Sequence, residues 1–249
     1  MLNQRHLDYL IYFILLALLA EILGTVGGFG SSLFFVPIAS YFLDFHSVLG
    51  VTAMFHVLSN LTKIGFFRQG VDKKLLVSLG IPAVVFVVLG AYLSRFIDAK
   101  WLEMGLAVFL IGLSLFFLIF KTVVIKPTTF NSVSGGIASG FIAGLIGTGG
   151  AIRGMTLAAF NLKMQVFIAT SAVIDLAIDG SRTVVYGLNG FIHKDDLYLI
   201  PILFVVSIIG TYIGKKILEK ISEAQFKKIV LILILITGLI TAFSTIQKL

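Results

Sequence analysis

Long apolar runs separated by short polar stretches dominate the chain. The runs fall at residues 9–43, 46–67, 73–93, 102–120, 131–160, 165–186, 196–214 and 226–246. The isolated runs are about 20 residues long, which is the length that an α-helix needs to cross the hydrocarbon core of a bilayer. The pattern therefore predicts an all-α polytopic membrane protein.

The first and fifth runs are longer than one crossing requires, and each contains a glycine cluster. The first cluster reads Gly24-Thr-Val-Gly27-Gly28-Phe29-Gly30-Ser31-Ser32, and the second reads Gly144-Leu-Ile-Gly147-Thr148-Gly149-Gly150. Closely spaced glycines break a membrane helix, and the freed backbone groups must then lie against protein or water. We expect each of these runs to be a helix that breaks and turns back, which makes a re-entrant hairpin.

The two clusters are part of an internal repeat. An offset of 119 or 120 residues aligns, in order, Gly24 with Gly144, Gly27 with Gly147, Gly30 with Gly150, Pro82 with Pro201, Gly90 with Gly210 and Tyr92 with Tyr212. Interrupted hydrophobic segments at matching places in two halves are typical of secondary transporters. The alignment predicts repeats at residues 1–122 and 123–249, each a glycine-broken hairpin plus three transmembrane helices. The match also argues against a signal peptide at the first run.

Basic residues in the loops predict the orientation. If the broken segments are hairpins, one side of the membrane carries 5 basic residues: Arg5, Arg95, Lys100, Lys194 and Lys248. The other side carries 11: Arg68, Lys73, Lys74, Lys121, Lys126, Lys163, Lys215, Lys216, Lys220, Lys227 and Lys228. If the broken segments cross instead, the count is 8 on each side. Cytoplasmic loops are enriched in Lys and Arg, so the hairpins are favoured. Three crossings per repeat then predict inverted halves, with both termini extracytoplasmic.

Composition supports a bilayer environment. Hydrophobic residues make up 58% of the 249 residues and charged residues 12%, and the mean hydropathy is +1.07. Soluble domains carry about 25% charged residues. The net charge of +7 reflects membrane topology, because the basic residues cluster in loops between the apolar runs. It does not indicate binding to nucleic acid. The chain has no cysteine, which excludes disulfides, thiolate metal sites and cysteine nucleophiles.

Two polar stripes interrupt the apolar runs at matching positions. The first is His56, Asn60 and Lys63, and the second is Asp175, Asp179 and Arg182. Each stripe has spacing i, i+4, i+7, which places its members on one helical face. The offset of 119 residues superposes the two sets. Ionisable residues within membrane segments avoid lipid, so we expect the stripes to face each other or a shared cavity.

The helix breaks complete a candidate anion site. Each second half-helix would begin inside the membrane, near Ser31 or near Gly150, with unpaired N–H groups and the positive end of its dipole. We expect the empty site to carry a net positive charge. The predicted substrate-binding residues are Gly27, Gly28, Gly30, Ser31, Ser32, Gly147, Gly149, Gly150, Arg153, His56, Asn60, Lys63 and Arg182, and the predicted coupling or charge-balancing residues are Asp175, Asp179 and Glu21.

Each of these features also has a structural interpretation. The glycines could serve close helix packing, and Asp179 with Arg182 could be a structural ion pair. His56 could be a hydrogen-bonded interior residue, and the Lys63 side chain could extend to the membrane interface. Glu21 has three open roles: proton carrier, helix-pairing residue or partner for a cation.

At these motifs the chain resembles the TauE/SafE family of sulfite exporters and toluene-sulfonate uptake permeases. The resemblance covers nearly the whole chain. It rests on Gly28-Phe29-Gly30-Ser31-Ser32 with Pro37 downstream, on Gly144-Leu-Ile-Gly147-Thr148-Gly149-Gly150, and on their position at the starts of two halves. It implies transport of sulfite, sulfonates or related sulfur-containing anions, in either direction. Arg153 departs from the small or apolar residue expected there.

We therefore expect a secondary transporter of small anions in the plasma membrane of a bacterium or archaeon. Its partners would be the anion, the lipid bilayer and a coupling proton or cation, with no nucleic acid, cofactor or metal. The oligomeric state is left open. One alternative is an intramembrane serine hydrolase with Ser31 or Ser32 as nucleophile and His56 as base. The other is an anion channel built from the same broken helices.

Overall fold

The computed structural model is helical throughout the part of the chain that it describes. It describes residues 4–28, 30–68, 70–120 and 125–220, with single positions at 239, 243 and 246, and side chains from residue 9 onward except that of residue 117. Within these residues the helices are α1 Gln4–Gly27, α2 Ser32–Ala39, α3 Phe45–Phe66, α4 Lys73–Ser94, α5 Ala99–Ile119, α6 Thr129–Ile146, α7 Gly150–Ala158, α8 Met164–Leu188 and α9 Leu199–Leu218.

Six of these helices are long and apolar enough to cross a membrane: α1, α4, α5, α6, α8 and α9. The helices predicted at 73–93, 102–120, 165–186 and 196–214 are confirmed. The predicted run at 226–246 lies outside the described residues except for positions 239, 243 and 246, and Phe29 and Leu249 also lie outside them. Helix α3 has 22 residues but is less apolar, because it carries the first polar stripe.

Three helices begin at side chains that cap their free N–H groups. Asp44 accepts hydrogen bonds from the backbone of His46 at 3.0 Å and Ser47 at 3.2 Å, at the start of α3. Asp72 caps α4 in the same way, and Thr128 caps α6. These caps end the loops and set where each membrane helix starts.

The first glycine cluster ends α1 and turns the chain back. Gly28 and Gly30 have φ of +66° and +81°, a left-handed conformation that favours glycine. Beyond α2, the Phe42 ring lies 6.4 Å from Tyr9 and 5.3 Å from Phe13, measured between ring centroids. Helix α2 therefore runs back along α1 towards the end at which α1 begins.

The second glycine cluster does the same between α6 and α7. Gly147 has φ of +82° and its N–H donates to the carbonyl of Ala143 at 3.0 Å, which closes the last turn of α6. A Cβ at Gly135, early in α6, would lie 2.7 Å from the Thr156 methyl group, late in α7. The two helices are thus packed as a tight antiparallel pair.

Helices α3 and α8 form the centre of the bundle, and other pairs pack around them. Helix α4 packs closely on α6 and helix α1 packs on α9. Small residues at these contacts let the backbones approach; they are Gly136, Gly140 and Gly144 in the first pair, and Gly210 and Gly214 in the second.

The buried apolar residues are distributed unevenly along the bundle. We call the end at which α3 begins the α3-start side and the end at which α3 finishes the α3-end side. The largest cluster of buried apolar residues lies towards the α3-start side and includes Phe35, Leu49 and Tyr186. A small cluster of Phe67, Ile168 and Ala169 lies at the α3-end side. Polar side chains occupy the space between them.

Candidate functional site

A polar cavity lies at the middle of the bundle, where both glycine breaks meet α3 and α8. We call it the central cavity. It is lined by Gly30, Ser31, Ser32, His56, Ser59, Asn60, Lys63, Ala143, Gly147, Gly149, Gly150, Arg153, Asp175, Ile178, Asp179 and Arg182. A second cavity adjoins it and is lined by Gly24, Thr25, Gly28, Gly30, Asn60, Lys63, Ile168, Ser171, Ala172 and Asp175.

Most residues predicted from the sequence lie along the central cavity. Three do not line it. Gly28 lines the second cavity, Gly27 ends α1 outside both linings, and Glu21 lies behind Ser31 and Lys63. Both polar stripes are buried, with each of their six residues at most 7% exposed.

The two stripes lie against each other across the α3–α8 interface. The Asn60 Nδ2 donates to Asp179 Oδ2 at 2.7 Å, and the Arg182 Nη2 lies 3.4 Å from His56 Nδ1. The lower-numbered residue of α3 thus meets the higher-numbered residue of α8, so α3 and α8 are antiparallel.

Arg182 connects α8 to the end of α6. Its Nε donates to Asp179 Oδ1 at 2.8 Å, and its Nη1 donates to the carbonyl oxygens of Gly147 at 2.8 Å and Ala143 at 3.2 Å. Carbonyl groups at the last turn of a helix have no partner within the helix and attract a cation. Arg182 therefore stabilises the second break, and its pair with Asp179 has the geometry of a structural ion pair.

Arg153 extends from α7 across the cavity. Its two terminal nitrogens contact the two carboxylate oxygens of Asp175, and its Nε lies 3.4 Å from Ser171 Oγ. A Cβ built on Gly30 would lie 3.7 Å from Arg153 Nη2. A guanidinium from the second half of the chain thus lies directly in front of the break in the first half.

Lys63 is paired with Glu21 rather than extended to the interface. Its Nζ lies 2.8 Å from Glu21 Oε1 and donates to Ser59 Oγ at 2.7 Å. Glu21 is fully buried. It also accepts hydrogen bonds from the hydroxyl groups of Ser31, Ser59, Thr211 and Thr25. Of the roles left open for Glu21, the geometry is that of a partner for a cation.

These pairings show which charges of the site are already balanced. The prediction of a net positive cavity sets Asp175 and Asp179 against the cations, and the structure adds Glu21, which contacts Lys63. Each of the three arginine and lysine side chains at the site contacts a carboxylate, so the six formal charges sum to zero when all are ionised. Positive potential that is not already paired comes from the N-terminal turns of α2 and α7.

Hydrogen bonding assigns the proton on His56. Ser31 Oγ donates to Glu21 Oε2 at 2.6 Å, and it lies 3.0 Å from His56 Nε2. Arg182, which can only donate, faces His56 Nδ1. A neutral His56 therefore accepts at Nδ1 and carries its proton on Nε2, which donates to Ser31.

Sequence reasoning missed several hydroxyl groups of the site. Ser171 lies one turn before Asp175 and extends the second stripe, while Ser59 lies one turn after His56. Helical spacing could have identified both, and also Thr25, which lies four residues after Glu21 on α1, whereas Thr211 carries no such signal. Among the described residues, no three His, Asp or Glu side chains converge as metal ligands do.

Two proteins described as membrane transporters are similar to the chain over most of its length. The probable membrane transporter protein MJ0441 of Methanocaldococcus jannaschii is 25% identical over 243 residues, which cover 86% of this chain and 88% of that protein. The probable membrane transporter protein YdhB of Bacillus subtilis is 28% identical over 242 residues, which cover 91% of this chain and 97% of that protein. No solved structure gives a significant match.

The match to a family model is equally extensive. The model described as sulfite exporter TauE/SafE matches residues 13–241, which include both glycine breaks, both polar stripes and all the lining of the central cavity. The chain therefore belongs to the TauE/SafE family of membrane transporters.

Proposed function

We propose that the chain is a secondary transporter that binds a small anion in the central cavity, between the two helix breaks. One observation carries the proposal. The first turns of α2 and α7 line the same cavity, together with the guanidinium of Arg153. Helix N-termini offer unpaired N–H groups and partial positive charge, which together form an anion site.

The substrates we propose are sulfur-containing oxyanions or organosulfonates. The family description supports this class. The planar fork of Arg153 matches two oxygens of a sulfite, sulfonate or carboxylate group. Ser32 lines the cavity at the start of α2, where its hydroxyl group is placed to donate to a third oxygen.

The existing ion pairs suggest how the anion enters. Asp175 already occupies the fork of Arg153, so an anion that binds there must replace the carboxylate. A displaced carboxylate in a buried site has a large desolvation cost unless it takes up a proton. We propose that Asp175 accepts a coupling proton as the anion binds, while Glu21 and Asp179 stay with their cations.

We also propose that the halves, residues 1–122 and 123–249, are inverted repeats. Equivalent contacts recur in both: Gly90 of α4 lies against the backbone of Phe141 in α6, and Gly210 of α9 lies against Glu21 in α1. The offset of 120 residues relates both partners. The α3-end side would be cytoplasmic in a plasma membrane, because the loops there carry the larger number of basic residues.

The hydrogen bonding of His56 argues against the hydrolase alternative. A serine nucleophile needs His56 Nε2 to accept its proton. Here Ser31 donates to Glu21, and the donor Arg182 next to Nδ1 leaves the proton of His56 on Nε2. A channel would use the same anion site, so the alternatives that the experiment must separate are carrier and channel.

The test is transport by purified protein in proteoliposomes. We expect saturable counterflow of labelled sulfite or an alkyl sulfonate, without electrodiffusive current. Arg153→Gln should raise the apparent Kd for the anion at least tenfold, because losing a charge-assisted bidentate contact costs about 1.5–3 kcal/mol. Arg68→Gln is the matched control, because Arg68 is exposed and lies outside the central cavity.

Binding by calorimetry separates the two parts of the proposal. Asp175→Asn should still bind the anion but lose accumulation driven by a pH gradient. Anion affinity that is unchanged in Arg153→Gln, or stronger stabilisation by a cation than by any anion, would overturn the anion site. Current that follows the anion gradient without saturation would establish a channel instead.

A further inference from the structure

We infer that Phe167 is the gate between the anion site and the α3-end side, and that Leu49 holds the equivalent position on the α3-start side. The inference rests on the proposed transport function. Phe167 lies in the first turn of α8, next to the first helix break. A Cβ built on Gly28 would lie 2.6 Å from Phe167 Cε1 and 3.3 Å from Cδ1. The ring therefore covers the space that any other residue at position 28 would fill.

The second break is covered in the same way from the other half of the chain. A Cβ on Gly147 would lie 2.8 Å from Leu49 Cδ2 and 3.2 Å from Val36 Cγ2. Gly28 and Gly147 both have positive φ; they are 119 residues apart, which is the offset of the polar stripes and one less than the offset that aligns Gly27 with Gly147. Each break glycine is thus covered by an apolar side chain near the start of the central helix of the other half.

The two barriers differ in thickness. Behind Leu49 lies the large apolar cluster, in which Phe35, Val36 and Tyr186 are all 0% exposed. Phe167 packs against the small cluster at the α3-end side and also against a second cluster, which is built on α4, α6, α7 and α8 and consists of Leu75, Leu79, Ala83, Val87, Ala143, Leu157, Ile174 and Ile178. The apolar clusters around Phe167 are together smaller than the cluster around Leu49, and we infer that the barrier on the α3-end side is the thinner of the two.

The second cavity marks the path on the thin side. It shares Gly30, Asn60, Lys63 and Asp175 with the central cavity. It then continues past Gly28 to Ile168 and Ala172, in the first turns of α8. Rotation of the Phe167 side chain off Gly28 would join this path to the α3-end side without moving a helix. Opening the other side requires Leu49 to leave Gly147 and the surrounding cluster to separate.

Thiol labelling tests the gate directly, because the chain contains no cysteine. Ala172 lines the second cavity and is 2% exposed, and Ala53, the residue at the matching position of the first half, is 0% exposed. Each is changed to cysteine in separate, otherwise unaltered chains in proteoliposomes. A charged, membrane-impermeant methanethiosulfonate is then added to one side at a time, without any transport substrate.

We expect Ala172→Cys to react from the α3-end side, and adding Phe167→Ala should raise the rate several-fold. Phe167→Leu should have an intermediate rate and also serves if the alanine variant does not fold. Ala53→Cys should stay unreactive from the α3-start side, even with Leu49→Ala, because the other layers remain.

The gate would be overturned if Ala172→Cys is labelled at the same rate with and without Phe167→Ala or Phe167→Leu. This comparison holds for chains whose melting temperature is unchanged. Rapid reaction of Ala53→Cys would overturn the thick barrier. Since labelling uses no substrate, failure of the gate is distinguishable from failure of the proposed function, which counterflow measures.

Discussion

Asn60 and Asp179 are joined by a 2.7 Å hydrogen bond at the centre of the bundle, and they are 119 residues apart in the sequence. The same offset aligns the two polar stripes. Under the proposed inverted repeat, two equivalent residues can meet only on the axis that relates the halves. The axis would then pass through this hydrogen bond. Because Asn60 carries an amide, the contact on the axis joins an amide to a carboxylate and does not bring two carboxylates together.

Changing Asn60 to Asp should therefore be destabilising. It removes the N–H donor to Asp179 and places two carboxylates in contact, and leaving a buried group without its partner costs about 1–3 kcal/mol. Thermal unfolding in detergent should show a lower Tm for Asn60→Asp than for Asn60→Ala, which removes the donor but adds no charge. Equal Tm values for the two variants would contradict this account of the contact.

Lys63 and Glu21 should be strongly coupled. Either Lys63→Gln or Glu21→Gln alone leaves a buried charge unpaired, which costs about 3–5 kcal/mol. The double variant leaves no charge, so its stability should be closer to the wild type than that of either single variant. Urea unfolding of all four proteins completes the cycle. Additive losses would show that the 2.8 Å contact has no energetic consequence.

Gly30→Leu should abolish transport while the protein still inserts. Gly30 has φ of +81° and faces Arg153 across the site, so a leucine would strain the break and fill the space for the anion. Gly70→Leu is the control, because Gly70 also has positive φ but nothing lies within 4 Å of its Cβ position. Normal uptake by Gly30→Leu would show that this glycine serves only packing.

Glycines at the α4–α6 interface should tolerate no added methyl group. A Cβ on Gly140 would lie 2.8 Å from Ala83 Cα, and overpacking of this kind costs about 1–3 kcal/mol. Gly112 in α5 is exposed with nothing within 4 Å, so Gly112→Ala should gain about 0.5–1 kcal/mol through helix propensity. If Gly140→Ala and Gly112→Ala shift the melting temperature in the same direction, the close packing of α4 on α6 is contradicted.

Orientation can be measured in the same cysteine-free background. Lys126, between α5 and α6, and Lys194, between α8 and α9, are both exposed. Lys126→Cys should react with an impermeant maleimide only from the cytoplasm, and Lys194→Cys only from outside, as the distribution of basic residues predicts. Reaction of both from one side would contradict the proposed topology.

Much of the helical framework follows from the sequence. Run length and hydropathy predict the membrane helices, and the glycine clusters predict where the chain turns, since α2 begins at Ser32 and α7 at Gly150. The spacing of the stripes predicts one polar face on α3 and one on α8. These features depend on local geometry, which the sequence encodes within a few turns of a helix.

The pairing of charges does not follow in the same way. Periodicity identifies the face that a residue occupies, but not which side chain on another helix lies opposite. Glu21 is 42 positions from Lys63 in the sequence, and the two meet only through their side chains, which reach each other from α1 and α3. The position of Phe167 over Gly28 also depends on how two distant helices pack.

The polar stripe on α8 has a consequence for synthesis of the chain. Helix α8 has a mean hydropathy of 1.3, against 2.4 for α4, and each of its three charged side chains would oppose insertion by roughly 2.5–3.5 kcal/mol at the bilayer centre. Its partners His56 and Asn60 are translated earlier, on α3. The first half would then already be in the membrane when α8 leaves the ribosome. Its polar side chains would offer α8 the hydrogen bonds that lipid cannot provide, so the first half would act as an internal chaperone for the insertion of α8.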